Sequence, residues 1–186
     1  MTSYKLFKKD NMKIKKAVIP CAGIGSRFLP WTKVMPKEML PIIDRPVIHY
    51  IVEECVKAGI KQIIIVTDSR KRAIEDYFDN SLELEIQLER MGKTEKIDKI
   101  KNIPEMAEFI YVRQKGPYGN ATPVKEVKNV VGNEPFVVLW GDQFIWAEPS
   151  RLAQCLAVYE RYGEATFAAL TVDDEQKRSC GVGRVE

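Results

Sequence analysis

The sequence has few of the side chains that bind soft metals. It contains one histidine, His49, in 186 residues, and its four cysteines lie far apart with no C-x-x-C pair. A structural zinc site needs four such ligands at close spacing, so the spacing of these five residues excludes a structural zinc site. We expect the cysteines to be reduced thiols, as is usual in cytosolic proteins, and His49 to have a structural role.

An excess of charge of one sign and a long apolar run are also lacking. Lys and Arg number 29 and Asp and Glu number 26, which leaves a net charge of +3. This charge is too small for the usual electrostatic binding of nucleic acid. No apolar run approaches the roughly 18 residues of a membrane span, and the Lys-rich N-terminus lacks the apolar core of a secretory signal. We therefore expect a cytoplasmic protein with neither nucleic acid nor a membrane as its partner.

What the sequence does contain is a regular alternation of apolar strands and amphipathic helices. Strands are predicted at residues 14–20, 61–67, 109–113, 135–140 and 165–172. Helices are predicted at residues 47–58, 69–78 and 122–130, and from Ser150 onward, with Leu152, Cys155, Leu156 and Tyr159 on one face. This order predicts an α/β fold, doubly wound, with a mostly parallel, Rossmann-like sheet.

The domain organisation follows from the same pattern. Residues 1–13 are predicted to be a flexible basic arm, and residues 14–186 a single domain. Residues 82–101 are rich in Glu and Lys and predict two helical pieces, split at Gly92, that form a surface insertion. No internal repeat or linker divides the chain further.

A glycine-containing loop with cations follows the first predicted strand. Its sequence CAGIGSR holds Gly23, Gly25 and Arg27, and Lys33 and Lys37 follow. Glycines let backbone N–H groups approach an anion, and a guanidinium grips phosphate oxygens, so this loop indicates a polyphosphate site. A tight turn with a solvated Arg is the alternative. A P-loop is absent, and Phe28 stands where a dinucleotide fingerprint needs its third glycine.

Two further predicted strands also end in polar residues. Gln114 can both donate and accept at the edge of a nucleobase, and Gly119 would let a flat ring lie against the backbone. Asp142 follows the fourth strand, where a carboxylate suits Mg²⁺ held jointly with substrate phosphates. A plain turn at 114–120 and an Asp that caps a turn are the alternatives.

Four segments together carry a resemblance to a known family. They are AVIPCAGIGSRFLPWTKVMPKEMLPIIDRPVIHYIVEECVKAGI, IIIVT, YVRQKGPYG and VVLWGDQ, in this order. The sequence resembles the bacterial UTP–glucose-1-phosphate uridylyltransferases, of the sugar-nucleotide pyrophosphorylase group of nucleotidyltransferases. The resemblance implies Mg²⁺-dependent nucleotidyl transfer from UTP to glucose 1-phosphate, giving UDP-glucose and pyrophosphate, by a chain that forms a homo-oligomer.

The resemblance also implies roles for individual residues. Arg27 and Lys37 would clamp the triphosphate as catalytic residues, and Asp142 would be both catalytic and the Mg²⁺ ligand. The residues implied to bind the nucleotide are Ala22, Gly23, Gly25, Glu38, Gln114 and Gly119.

The sequence departs from the family pattern at several positions, with mild changes at Cys21 and Ser26, and in length. Gln143 stands where a second Asp is usual, and Asn120 to Pro123 replace a second glycine and a histidine. Family members continue well beyond Glu186, so we expect this chain to be the nucleotide-binding part of a larger unit. Two alternatives stay open, namely a related pyrophosphorylase for another nucleotide or sugar, and a non-catalytic UTP-binding module.

Overall fold

The computed structural model describes residues 13–173 and 175. The strands are β1 (Lys16–Pro20), β2 (Pro41–Ile42), β3 (Arg45–Pro46), β4 (Gln62–Thr67), β5 (Glu108–Arg113) and β6 (Phe136–Val138). The α-helices are α1 (Val47–Lys57), α2 (Arg72–Tyr77), α3 (Leu82–Arg90), α4 (Thr94–Ile97), α5 (Ala121–Glu126), α6 (Lys128–Val131) and α7 (Arg151–Tyr162). Short 3-10 turns at Ser26–Phe28, Trp31–Lys33 and Lys37–Met39 lie between β1 and β2.

A parallel sheet forms the centre of the fold. In the described part of the chain its strand order is β5-β4-β1-β6, with every neighbouring pair parallel. The chain winds outward from β1 through β4 to β5 and then crosses back to place β6 on the other side of β1. The direction of winding therefore reverses between β1 and β6, which is the switch point where doubly wound folds bind ligands.

Alternate residues of the central strands face two separate layers of helices. Ile19, Ile63 and Ile65 pack in one apolar cluster with residues of α1, α2 and α7. Val18 and Ile64 point the other way, into a second cluster with Val127, which joins α5 to α6, and with residues of α6. Strands buried on both faces need continuous β-branched runs, which explains the sequence of β4. The predicted doubly wound α/β fold is thus confirmed.

Helix α7 is fixed at its start by two polar contacts. The Ser150 hydroxyl accepts a hydrogen bond from the Ala153 N–H at 3.2 Å, as the sequence predicts. The buried Glu54 carboxylate of α1 accepts from the Leu152 N–H at 2.7 Å and from the Arg151 guanidinium at 3.3 Å. The bonds from the Ala153 and Leu152 N–H groups satisfy backbone donors that a helix start leaves open, and the two bonds to Glu54 hold α7 against α1.

The predicted insertion forms the helices α3 and α4, separated near Gly92. None of the α3 residues is buried, and Leu82, Leu84 and Ile86 are exposed. Two other predicted helices differ in their bounds. Helix α2 begins at Arg72 rather than at residue 69, and the helix predicted at 122–130 is two pieces, α5 and α6, which meet at Val127.

The strand predicted at residues 165–172 is wrong. This segment has no regular secondary structure, and its side chains are largely exposed, with Phe167 88% and Leu170 79% accessible. A strand is stable only where a neighbouring strand satisfies its backbone groups, and no strand of the described residues pairs with this segment. The apolar residues of 165–172 therefore do not form a strand in the described part of the chain.

Some predictions fall outside the described residues. The arm predicted at residues 1–13 is described only at Lys13, and the end of the chain from residue 176 onward is also outside this range. Within residues 13–173 and 175, no helix has the length and apolar character to cross a membrane.

Candidate functional site

A polar cavity opens at the carboxyl ends of β1 and β6, at the switch point of the sheet. Its volume is about 410 Å³. The residues that line it are Pro20, Ala22, Gly23, Arg27, Lys37, Glu38, Gln114, Asn120, Pro123, Trp140, Asp142 and Gln143. They come from the last residue of β1, from the loops that follow β1, β5 and β6, and from the start of α5. Ligands of doubly wound proteins bind in this position, so the cavity is the candidate site.

The loop after β1 forms one wall of the cavity and is folded back on itself. Gly25 has a φ of 72°, a left-handed conformation that glycine adopts without strain. The Thr32 hydroxyl donates a hydrogen bond to the Gly25 carbonyl at 2.8 Å, which ties the two halves of the loop together. A Cβ atom built on Gly23 would lie 3.7 Å from both Cε and Nζ of Lys37. The glycine backbone and the Lys37 ammonium therefore lie side by side.

An ion pair joins the two opposite walls of the cavity. The Lys37 Nζ lies 2.5 Å from the Asp142 Oδ2, and the two side chains are 21% and 27% exposed. The predicted phosphate clamp and the predicted metal ligand are thus paired with each other. A triphosphate that accepts from Lys37 would share the ammonium with Asp142, and a cation bound to Asp142 would share the carboxylate with Lys37.

A second ion pair lies beneath the first and is fully enclosed. The Glu38 carboxylate accepts from the Lys71 Nζ through both oxygens, at 2.9 and 2.8 Å. The Glu38 side chain is 0% and the Lys71 side chain 6% exposed. Burial raises the pKa of the Glu38 carboxyl above its usual value, although the Lys71 charge and hydrogen bond act to lower it.

The Cys21 thiol lies among these four charged groups and is chemically quiet. Burial raises its pKa well above the usual value, and the charges of Glu38 and Asp142 raise it further, while Lys71 and Lys37 oppose them. A thiol with so high a pKa stays protonated at neutral pH, and the thiolate is the nucleophilic form. The geometry therefore assigns Cys21 to packing.

The far wall of the cavity is built from the loop between β5 and α5. The Gln114 amide donates to the Pro117 carbonyl at 3.2 Å, and the Gly116 N–H donates to the Glu126 carboxylate at 3.1 Å. The Arg70 guanidinium donates to the Tyr118 hydroxyl at 3.1 Å. These bonds hold the loop in place beside the loop that follows β4. The Gln114 amide, at the cavity surface, can recognise a group with both a donor and an acceptor.

The structure brings most of the predicted site residues together. Those that line the cavity are Ala22, Gly23, Arg27, Lys37, Glu38, Gln114 and Asp142. Gly25 and Gly119 are not among the lining residues. Gly25 shapes the loop after β1 through its left-handed conformation. Glu38 borders the cavity with its carboxylate turned toward Lys71. The roles predicted for all of these residues stay predictions.

Several lining residues are not among the site residues that the sequence predicts, although Asn120, Pro123 and Gln143 are noted there as departures from the family pattern. The lining also includes Pro20, Asn120, Pro123, Trp140 and Gln143. Their position next to strand ends is a signal that the sequence contains, since such residues meet at one edge of a parallel sheet. Lys71 is also missing from the predicted set, because nothing local shows that it reaches back to Glu38.

His49 lies in α1, outside the cavity lining. Its Nδ1 is 3.0 Å from the Tyr77 hydroxyl, and its Nε2 is 3.2 Å from a Glu53 carboxylate oxygen. Burial lowers its pKa below the usual value, although the Glu53 charge acts to raise it. The residue links α1 to α2, in keeping with the structural role that the sequence predicts.

Gly141 has no room for a side chain, which predicts a large effect of the smallest substitution. A Cβ atom there would lie 2.6 Å from the Cys21 Sγ and 3.2 Å from the Glu38 Cγ. We expect Gly141→Ala to lower the free energy of unfolding by about 1–3 kcal/mol, the usual cost of overpacking. Because Cys21→Ala removes the closest atom, the double variant Cys21→Ala/Gly141→Ala should regain part of this loss in a urea titration.

Gly23→Ala is the matched control for this experiment, since its nearest neighbours are 3.7 Å away, at ordinary contact distance. It should change the free energy of unfolding little. Equal stability of Gly141→Ala and Gly23→Ala would contradict the packing around Gly141.

Comparison with known proteins agrees with the fold. The family model described as nucleotidyl transferase matches residues 16–186, and the chain belongs to this family. A curated relative, UTP–glucose-1-phosphate uridylyltransferase 2 of Staphylococcus saprophyticus, is 48% identical over 170 residues, which are 91% of this chain and 59% of the relative.

Solved structures give the same result. A UDP-glucose pyrophosphorylase from Acinetobacter baumannii matches with a TM-score of 0.76 and 44% identity, over 81% of this chain and 54% of that one. A UTP-bound structure of the enzyme from the same organism matches with a TM-score of 0.72 and 43% identity, again over 81% and 54%. The chain thus spans between half and three fifths of the length of these relatives.

Proposed function

We propose that this chain binds UTP in the cavity and takes part in nucleotidyl transfer from UTP to glucose 1-phosphate, giving UDP-glucose and pyrophosphate. The observation that carries this proposal is the convergence of Arg27, Lys37, Asp142 and Gln114 on one cavity at the switch point of the sheet. The similarity to UDP-glucose pyrophosphorylases, one of them UTP-bound, supports the choice of substrates.

The proposed reaction is an in-line displacement at the α-phosphorus of UTP. An oxygen of the sugar phosphate forms the new bond to this phosphorus, and the bond from the α-phosphorus to the bridging oxygen breaks, so that pyrophosphate leaves with the bonding electron pair. No covalent enzyme intermediate is needed, so the protein contributes by positioning the reactants and neutralising their charge. Lys37 and Arg27 would perform this neutralisation by donating to the phosphate oxygens.

The nucleoside would lie across the cavity from these cations. The Gln114 amide would pair with the donor and acceptor groups of uracil, once released from the Pro117 carbonyl. Ala22 and Gly23 would lie against the nucleotide through their backbone, because neither carries a long side chain.

A divalent cation would fit this site only together with the nucleotide. Within residues 13–173 and 175, no group of three or more His, Cys, Asp or Glu side chains could hold a metal ion. Of the carboxylates that line the cavity, that of Asp142 is partly exposed and that of Glu38 is buried, and Mg²⁺ is commonly bound by one or two carboxylates plus substrate phosphates. Asp142 would hold the cation, which when bound neutralises negative charge on the triphosphate.

Calorimetry and an exchange assay test this function in two stages. We expect UTP to bind the purified chain more tightly than dTTP or ATP. Incubation with UDP-glucose, labelled pyrophosphate and Mg²⁺ should then give labelled UTP through the reverse reaction. UTP binding without any exchange would contradict the enzymatic part of the proposal and leave a UTP-binding module. Tighter binding of another nucleotide would favour a related pyrophosphorylase, for which Gln143 in the cavity lining would be the first residue to test.

The homo-oligomer implied by the family resemblance is also part of this proposal. Light scattering of the purified chain measures its mass directly, and a value equal to the 21.3 kDa of one chain would contradict it.

A further inference from the structure

The buried ion pair of Glu38 and Lys71 lies directly behind the cavity. The Lys71 Nζ donates to both Glu38 oxygens, at 2.9 and 2.8 Å, and both side chains are more than nine-tenths buried. Lys71 immediately precedes α2 and is outside the cavity lining. It therefore cannot bind a ligand in the cavity directly, and any effect it has on the site must pass through Glu38.

Glu38 lies next to the backbone on both sides of the Lys37–Asp142 pair. It follows Lys37 in the 3-10 turn Lys37–Met39, so its position determines where that turn lies. Its Cγ lies 3.2 Å from the place where a Cβ of Gly141 would be, beneath the residue that precedes Asp142. A side chain fixed at this point supports the backbone of the phosphate clamp and of the proposed metal ligand together.

The charges around Glu38 give Lys71 a second effect. Burial raises the pKa of Glu38, and the charge of Lys71 and, more weakly, that of Lys37 act in the opposite direction. Without Lys71, a buried carboxylate would be left uncompensated, which is strongly unfavourable. Lys37 would then be the nearby cation that compensates Glu38. A Lys37 ammonium held by Glu38 could no longer donate to the phosphates of the nucleotide.

We propose that Lys71 is a positioning residue of the nucleotide site: it compensates Glu38 from behind, so that Lys37 stays directed into the cavity. This inference rests on the proposed binding of UTP. It assigns a role to a residue that the cavity lining does not include, and it places Glu38 in the support of the site.

The test compares three variants for binding of UTP and of uridine by calorimetry. Lys71→Met should weaken UTP binding about tenfold or more, because the charged contact between Lys37 and the phosphates is lost. It should change uridine binding less than about threefold. Glu38→Met/Lys71→Met removes both charges and keeps the volume, so it should bind UTP at least about threefold more tightly than Lys71→Met does. Lys16→Met is the control, because Lys16 pairs with Glu134 at the start of β1, away from the cavity.

The double variant keeps the test decisive if Lys71→Met does not fold. A folded double variant that binds uridine but not UTP would overturn the inference, because it would show that Lys71 acts on the phosphates in another way. Equal losses of UTP and uridine binding in Lys71→Met would also overturn it, since they indicate general damage.

A crystal structure of Lys71→Met without nucleotide gives a measurement that does not depend on UTP. We expect the Lys37 Nζ to leave Asp142 and lie within hydrogen-bond distance of the Glu38 carboxylate. Lys37 still paired with Asp142 would overturn the inference. If the unchanged chain fails to bind UTP, the proposed function fails, and this structural measurement still decides whether Lys71 positions Lys37.

Discussion

Replacing Lys37 with alanine should weaken UTP binding by about 10- to 100-fold and leave uridine binding within about threefold, as expected for the loss of one charged contact to phosphate. Uridine has no phosphates, so the Lys37 ammonium contributes to the affinity of UTP and not to that of the nucleoside. The position of this ammonium against Gly23 and opposite Asp142 supports the expectation. Calorimetric titration of both ligands measures the difference.

Lys33→Ala is the matched control for this experiment. Lys33 belongs to the same loop and loses the same charge, but its side chain is exposed and lies outside the cavity lining. Its removal should leave both affinities unchanged at physiological ionic strength. Equal losses of UTP and uridine binding in Lys37→Ala would contradict a phosphate-binding role for Lys37.

Replacing Asp142 with asparagine should remove the Mg²⁺ dependence of UTP binding. In the unchanged chain we expect added Mg²⁺ to strengthen UTP binding, because the cation offsets the charge of Asp142 and of the phosphates. The asparagine side chain is neutral and no longer holds Lys37 at 2.5 Å, as Asp142 does. In EDTA the variant should therefore bind UTP up to about tenfold more tightly than the unchanged chain, and Mg²⁺ should bring no further gain.

The order of the UTP affinities of Asp142→Asn and of the unchanged chain should reverse between EDTA and Mg²⁺, and this reversal is the most specific prediction of the experiment. The variant is expected to bind UTP better than the unchanged chain in EDTA and worse than it in Mg²⁺. Asp68→Asn is the control, because Asp68 follows β4, binds Arg70 and lies outside the cavity lining. A metal requirement that persists in Asp142→Asn would exclude Asp142 as the ligand.

The central sheet could be predicted because its strands are short, apolar and separated by amphipathic helices. The continuous apolar run of β4, QIIIVT, predicts a strand that is buried on both faces. The Ser150 cap is a hydrogen bond between neighbouring residues, which a sequence pattern can predict. Residues 165–172 show the limit of such reasoning. Their composition favours a strand, but strand formation depends on a partner that composition does not reveal.

Some features of the candidate site could likewise be predicted from the sequence, and others could not. Gly23, Arg27, Lys37, Gln114 and Asp142 follow strand ends or lie in the loop after β1, and parallel topology alone predicts that these loops meet. The pairing of Lys37 with Asp142 joins residues 105 positions apart, and no spacing in the sequence indicates it. The same holds for Lys71, which could only be found once α2 was placed behind the turn at Lys37–Met39.

The sequence by itself therefore determined the fold class and which loops carry the polar chemistry, because periodicity and strand ends are local properties of the chain. The tertiary structure decided how the charges are paired. Burial makes an uncompensated carboxylate unfavourable, so Glu38 is held by Lys71 and Lys37 faces the cavity. Ion pairs of this kind depend on distances across the fold, which packing determines and local sequence does not.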